Sequence, residues 1–257
     1  MRRIAIGLLP LLLAVQAQAQ VRVEERLRAG TWVFTAELGG AAFTDFQRGQ
    51  ATLLHGGGGE LERRVSASTA ATVGARVGYW PTDSWALRAG LSYAPSTFTV
   101  AHDEAGEPLL DAADDGASET YASLGIWLAD VTAIFRFPRS FGRVLPYGIM
   151  GAGAVRYAHG DDAQLPPEAR TTFESGQRTG AAAVFGLGGS ITLQRHDTLL
   201  SFELTNHLVR SPLAGAKGGE QFDVDGVALR LDAADEHSSP GLTNNLRLIV
   251  GLTLSVR

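Results

Sequence analysis

The chain contains no cysteine. Disulfide staples, a thiol nucleophile and the acylated cysteine of a lipoprotein are therefore all excluded, and the fold has to be held by backbone pairing and its core. Beyond the first twenty residues there is no apolar run approaching the ~20 residues that a membrane-spanning helix requires. Helical periodicity is nearly absent from the rest of the sequence. An excess of positive charge is missing too: 22 Lys and Arg face 27 Asp and Glu, for a net charge of −5. That balance argues against a nucleic-acid partner.

The N-terminus is distinctive. Arg2 and Arg3 form a basic start, Ile4 to Val15 form an apolar run broken by Pro10, and Ala17-Gln18-Ala19 supplies small residues before Gln20. This is the pattern of a secretory signal peptide, with cleavage expected after Ala19 and export through the Sec pathway. The apolar run is too short for a spanning anchor. The expected organisation is a removed leader over residues 1–19, an N-terminal periplasmic segment over 20–30, and one β-barrel domain over 31–257.

From Thr31 onward the dominant signal is alternation with period two, the mark of strands with two different faces. Eight runs show it, at about 31–43, 68–80, 85–99, 120–137, 144–158, 178–194, 198–210 and 242–256. Three connections are very short: Pro81 to Ser84, Arg139 to Arg143, and Arg195 to Asp197. Four are long, polar and rich in Gly, Asp and Glu: Thr44 to Ala67, Val100 to Glu119, His159 to Gln177, and Ser211 to Gly241. Long and short alternate along the chain. This is the arrangement of an all-β, up-and-down antiparallel barrel of eight strands in an outer membrane, with short periplasmic turns at one rim and four long external loops at the other.

One face of each strand is suited to lipid and the other is small and polar. Trp32, Phe34, Ala36 and Leu38 share a face of the first strand, against Thr35, Glu37 and Gly39; Leu246, Leu248, Val250 and Leu252 oppose Arg247, Gly251 and Thr253 on the last. Tyr79, Trp80, Trp85, Phe135, Phe137 and Tyr147 gather around two of the short turns and are expected to form an interfacial girdle. The fourth run is ambiguous, because Leu124, Ile126 and Leu128 share a parity with Asp130, Thr132 and Arg136; a bulge or an emergent rim would explain it.

The stretch "LLSFELTNHL", Leu199 to Leu208, raises the central question, because a carboxylate, Glu203, sits in the middle of an apolar strand. Glu203 shares its face with Ser201, Thr205 and His207, so it is expected to point into the lumen. Pooling the inward faces gives Glu37, Asp130 and Glu203 together with Arg76, Arg88, Arg136 and Arg247. An eight-stranded barrel is just wide enough to be filled by side chains, so these seven are expected to form an ion-pair network rather than line an open channel.

Together, "PYGIMGAGAVRY" (Pro146 to Tyr157), "FGLGGSITL" (Phe185 to Leu193), "LSFELTNH" (Leu200 to His207) and "NNLRLIVGLTLSV" (Asn244 to Val256) resemble the small eight-stranded outer-membrane barrels of the OmpA/OmpW-like group. The resemblance covers nearly all of the chain beyond the leader. It departs at the end, Val256-Arg257, where such barrels usually carry an aromatic residue. It implies a monomer in the bacterial outer membrane that serves as a membrane-stabilising, surface-exposed or small-solute protein. Its partners would be outer-membrane lipid and lipopolysaccharide, with periplasmic chaperones and the barrel-assembly machinery during biogenesis.

Catalytic readings are weaker. Glu203 and His207 are four residues apart, about 13 Å along a strand, too far for a dyad. "HLVRS", which contains His207 and Ser211, lacks the closely spaced His-x-Ser of lipid A deacylases. "DVDG" at Asp223 to Gly226 lacks the later ligands of a calcium loop. "HGGGGE" at His55 to Glu60 lacks the Lys-Ser/Thr of a phosphate loop. The expectation is a non-enzymatic protein without a cofactor or metal. A narrow channel for small solutes is the alternative, and a lipid-modifying enzyme comes third.

Overall fold

The computed structural model describes residues 29–53, 60–104, 118–159, 177–193, 198–213, 221–224, 227–231 and 241–256. The expected leader, most of the 20–30 segment, the turn at Arg195 to Asp197 and the "HGGGGE" stretch except Glu60 lie outside the described residues. The chain forms strands β1 (Thr31–Phe43), β2 (Gln47–Leu53), β3 (Glu60–Ala67), β4 (Ala70–Trp80), β5 (Trp85–Glu104), β6 (Ser118–Arg136), β7 (Leu145–His159), β8 (Gln177–Leu193), β9 (Thr198–Arg210), β10 (Gln221–Val224), β11 (Val227–Leu231) and β12 (Leu242–Val256).

Eight of these close into an antiparallel barrel in the order β1-β4-β5-β6-β7-β8-β9-β12. β12 returns to β1 in register from Trp32 opposite Val256 to Phe43 opposite Asn245. Closure leaves the barrel wall without a free edge. Two short turns show their chemistry. Thr82 Oγ1 accepts hydrogen bonds from the Ser84 and Trp85 amides at 3.3 and 3.2 Å. Phe141 and Val144 exchange both backbone bonds at 3.0 Å around Gly142, whose φ of +61° is a left-handed value that a tight hairpin demands.

The other four strands lie within two of the four connections expected as long external loops. β3 pairs with the far end of β5, β2 with β3, β11 with β2, and β10 with β11, so the first and last long connections form one sheet beyond the barrel. These strands are short, at 7, 8, 4 and 5 residues, so each carries only two to four alternations and none stands out from the polar connection around it. The expected run 68–80 begins two residues late for a local reason: the Ser68 amide bonds to the Thr97 carbonyl at 3.0 Å, and Ser68 Oγ accepts from the Thr97 amide at 3.2 Å, at the break between β3 and β4.

The outward face is apolar along every barrel strand. Phe34, Leu38, Val131, Leu187, Leu204 and Leu248 all stand exposed on it. Soluble monomers rarely expose a contiguous apolar surface beyond a few hundred Å². A belt that surrounds the whole barrel is a lipid-facing surface. Outward aromatic pairs mark two levels. Trp32 and Tyr79 are 4.9 Å apart near the short turns, and Tyr93 and Trp127 are 4.7 Å apart toward the long connections. On β6, Trp127 and Phe135 are eight residues apart, or ~20 Å along the axis at a typical tilt of ~40°, close to the height of an apolar belt.

The expected girdle is corrected at two positions. Trp80 and Tyr147 are buried and point inward, because each shares its parity with the lumen-facing residues of its strand. The ambiguity on β6 also resolves. Leu124, Ile126, Leu128, Asp130 and Thr132 all face inward without a change of parity. The register shift in this region lies higher, between Thr97 and Thr99 of β5. The lumen is apolar toward the long connections, so an inward leucine there breaks no rule.

Candidate functional site in the lumen

The lumen is built in three layers. At the short-turn end, Val33, Trp80, Ala86, Ile134, Tyr147, Ile149 and Leu199 form a buried apolar cluster. Toward the long connections a larger one contains Phe98, Leu124, Ile126, Leu128, Val155 and Tyr157. Four residues from the connections complete it: Val65 and Ala67 of β3 are buried, and Phe46, beyond the end of β1, and Leu213, beyond the end of β9, are fully buried. Phe46 packs edge-on against Phe98 at 6.1 Å and Tyr157 at 5.3 Å. Ser211 Oγ donates to the Phe46 carbonyl and accepts from the Leu213 amide at 3.2 Å, which ties the two stoppers together.

Between these clusters lies a chain of alternating charge. Arg88 Nη1 donates to Glu203 Oε1 at 2.5 Å, and Arg76 Nη1 donates to Glu203 Oε2. Arg76 Nε lies 2.8 Å from Glu37 Oε2, though misaligned for a hydrogen bond. Arg247 follows, with Nη1 at 3.6 Å from Glu37 Oε1 and Nη2 at 3.7 Å from Asp130 Oδ2. His207 Nε2 ends the chain at 3.3 Å from Asp130 Oδ2. Three carboxylates and three guanidiniums thus alternate in sign, and all six are at most 6% exposed.

Burying a charge is very unfavourable unless it is paired, and a neutral alternating chain is the arrangement that meets this condition. Hydrogen bonding is less complete than charge pairing. Asp130 Oδ1, His207 Nδ1 and Arg247 Nε have no hydrogen-bond partner. Tyr147 contributes an O–H to Glu203 Oε1 at 2.8 Å, and Ser92 Oγ accepts from Arg247 Nη1.

Glycine makes the room. Glu37 stands between Gly74 and Gly251 on the neighbouring strands, and Asp130 between Gly90 and Gly153. Arg76 faces Gly90, Arg88 faces Gly78, and Gly188 lies between Tyr147 and Glu203. A Cβ on Gly188 would come within 2.5 Å of the Tyr147 ring. The small residues of the inward face are the space into which the large charged side chains fold.

Of the seven charged residues expected to form the network, Glu37, Arg76, Arg88, Asp130, Glu203 and Arg247 come together. Arg136 does not join them. As the last residue of β6 it lies at the short-turn rim, where its guanidinium sits 3.9 Å over the Trp80 ring and Nη1 donates to the Asp83 carbonyl at 3.0 Å. Sequence reasoning missed Tyr147 and Ser92. Parity places both inward, but their roles depend on which residue of another strand lies across from them.

A hollow of about 50 Å³ remains at the short-turn end, bordered by Trp80, Arg88, Arg136, Tyr147, Ser201 and Glu203. It has room for a few waters, each needing ~10–15 Å³. Its inner wall is the Arg88–Glu203 pair.

The sequence matches no protein-family model and no curated protein. In three dimensions the chain is similar to the outer membrane protein OprG from Pseudomonas aeruginosa, at 13% identity, covering 88% of this chain and 98% of the other, with a TM-score of 0.45. It is similar to the N-terminal β-barrel domain of Pseudomonas aeruginosa OprF at 12% identity, covering 89% and 100%, with a TM-score of 0.40. For Neisserial surface protein A the values are 12% identity, 89% and 98% coverage, and a TM-score of 0.40. Identities this low leave every residue role to be read from the chain's own geometry.

Proposed function

We propose that this chain is a monomeric barrel of a bacterial outer membrane whose lumen is closed by its own side chains, with a non-enzymatic role in envelope structure or surface interaction. The observation that carries the reading is the sealing of the charge layer between two apolar layers. An ion or solute crossing the lumen would have to break the Arg–Glu chain and pass the Phe46 and Leu213 stoppers as well. The sheet formed by β2, β3, β10 and β11 extends the barrel at the long-connection end, where a surface partner would be met. With periplasmic chaperones and the barrel-assembly machinery bringing it to the membrane, the short turns and N-terminus stay on the periplasmic side.

A catalytic role finds little support. His207 is fully buried against Asp130, and Ser211 Oγ is committed to the Phe46 carbonyl and the Leu213 amide. The hollow beside Arg88 and Glu203 is the feature of the described residues that favours a narrow channel. Liposome swelling separates the two readings. Vesicles carrying the refolded barrel should swell in small sugars and amino acids no faster than protein-free vesicles. Faster swelling that changes in Glu203→Gln would replace the closed barrel with the channel.

A further inference from the structure

Among the described residues the outward face is largely apolar, and its charge is confined to one arc. Among the outward side chains described on the eight barrel strands, two carry charge, Arg156 on β7 and Arg210 on β9, and both are exposed cations. They flank β8 near the long-connection end. Arg156 pairs with Thr179, and Ala182 with Val209, so Arg156 and Arg210 are separated by two strand spacings and a two-residue offset. That places their backbones ~12 Å apart.

The outward amides gather on the same arc. Gln177 Oε1 accepts from Arg156 Nη2 and orients the guanidinium, while Asn206 Nδ2 donates to Asn244 Oδ1 at 2.7 Å. At the corresponding rim of the opposite arc stand Thr69, just before β4, Thr97 of β5 and Ser123 of β6, and the described outward side chains of β4, β5 and β6 include no ionised group. The level is set by cross-strand pairing: Arg156 stands opposite Trp127, which stands opposite Tyr93, the aromatic pair of that rim.

A guanidinium that faces hydrocarbon is unfavourable, and it becomes tolerable at the interface, where a phosphate can meet it. Guanidinium groups suit that partner because they donate to phosphate oxygens in a bidentate fork. We infer that this arc holds an anionic glycolipid of the outer leaflet, with Arg156 and Arg210 each facing one of two phosphates on the same headgroup. The inference rests on the membrane reading of the barrel and names the lipid partner of its outward face.

The test compares the wild-type chain with the Arg156→Gln/Arg210→Gln double variant. Both are refolded into phosphatidylcholine vesicles containing a minor share of bisphosphorylated lipid A, extracted in mild detergent, and weighed by native mass spectrometry. Wild type should retain lipid A in preference to phosphatidylcholine, and the double variant should retain about tenfold less, the equivalent of ~1.4 kcal/mol. Equal retention by the two chains, or equal retention of phosphatidylcholine by wild type, would overturn the assignment. Displacement of lipid A by inorganic phosphate would overturn it in favour of a free-phosphate site. Failure of both chains to enter vesicles, seen as no difference between unboiled and boiled samples on a gel, would instead overturn the membrane reading on which it rests.

Discussion

Gly74 stands directly across from Glu37, and a methyl group in place of its hydrogen would lie 2.5 Å from Glu37 Oε1. The same Cβ would come within 2.7 Å of the Leu91 carbonyl oxygen and of Ser92 Cβ, so backbone as well as side chain would have to move. Gly74→Ala is therefore expected to destabilise the barrel by about 1–3 kcal/mol, as overpacking does. A urea titration in detergent checks it: the midpoint should fall with the slope unchanged. An unshifted midpoint would mean that the lumen is looser than the pairing describes.

Glu203 neutralises two guanidiniums at once. Its removal in Glu203→Ala leaves Arg76 and Arg88 without their shared partner, and the expected loss is about 3–5 kcal/mol. Replacing Arg88 by Met alongside Glu203→Ala should lose less than the two single changes added together. Additive losses in that double-mutant cycle would argue against a coupled pair.

Tyr147 and Arg136 give a contrast between a member of the network and a residue beside it. Tyr147→Phe deletes a hydrogen bond to a buried carboxylate and should cost about 1.5–3 kcal/mol. Arg136→Gln removes a half-exposed cation–π contact at the rim and should cost about 1 kcal/mol or less. The order of the two denaturation midpoints decides whether Arg136 belongs to the network.

The tryptophans report which way the wall faces. Trp127 is outward and Trp80 inward, so quenchers carried on lipid chains should reach the first and miss the second. Trp127→Phe should reduce the quenchable fluorescence, whereas Trp80→Phe should leave that component intact. The opposite result would place Trp80 in the girdle after all.

Strand phase is legible in the sequence because lipid and lumen impose opposite demands on alternate residues. The runs at 31–43, 198–210 and 242–256 coincide with β1, β9 and β12 to the residue. Cross-strand register is not legible in that way. Nothing local to Gly188 says that Tyr147 lies on one side of it and Glu203 on the other. The assumption that an inward face is polar hid the apolar layer formed by Leu124, Ile126 and Leu128. Proximity to a short turn suggested a girdle role for Trp80 and Tyr147, although the alternation itself points both of them inward.

Planar-bilayer conductance of the refolded chain tests the closed lumen most directly. The alternating chain from Arg88 to Asp130, sealed between Tyr147 on one side and Phe46 and Leu213 on the other, predicts electrically silent membranes under conditions where the gel shift demonstrates a folded barrel. Reproducible unit conductance that changes in Glu203→Gln would contradict it, because the ions would then be passing through the charge layer itself.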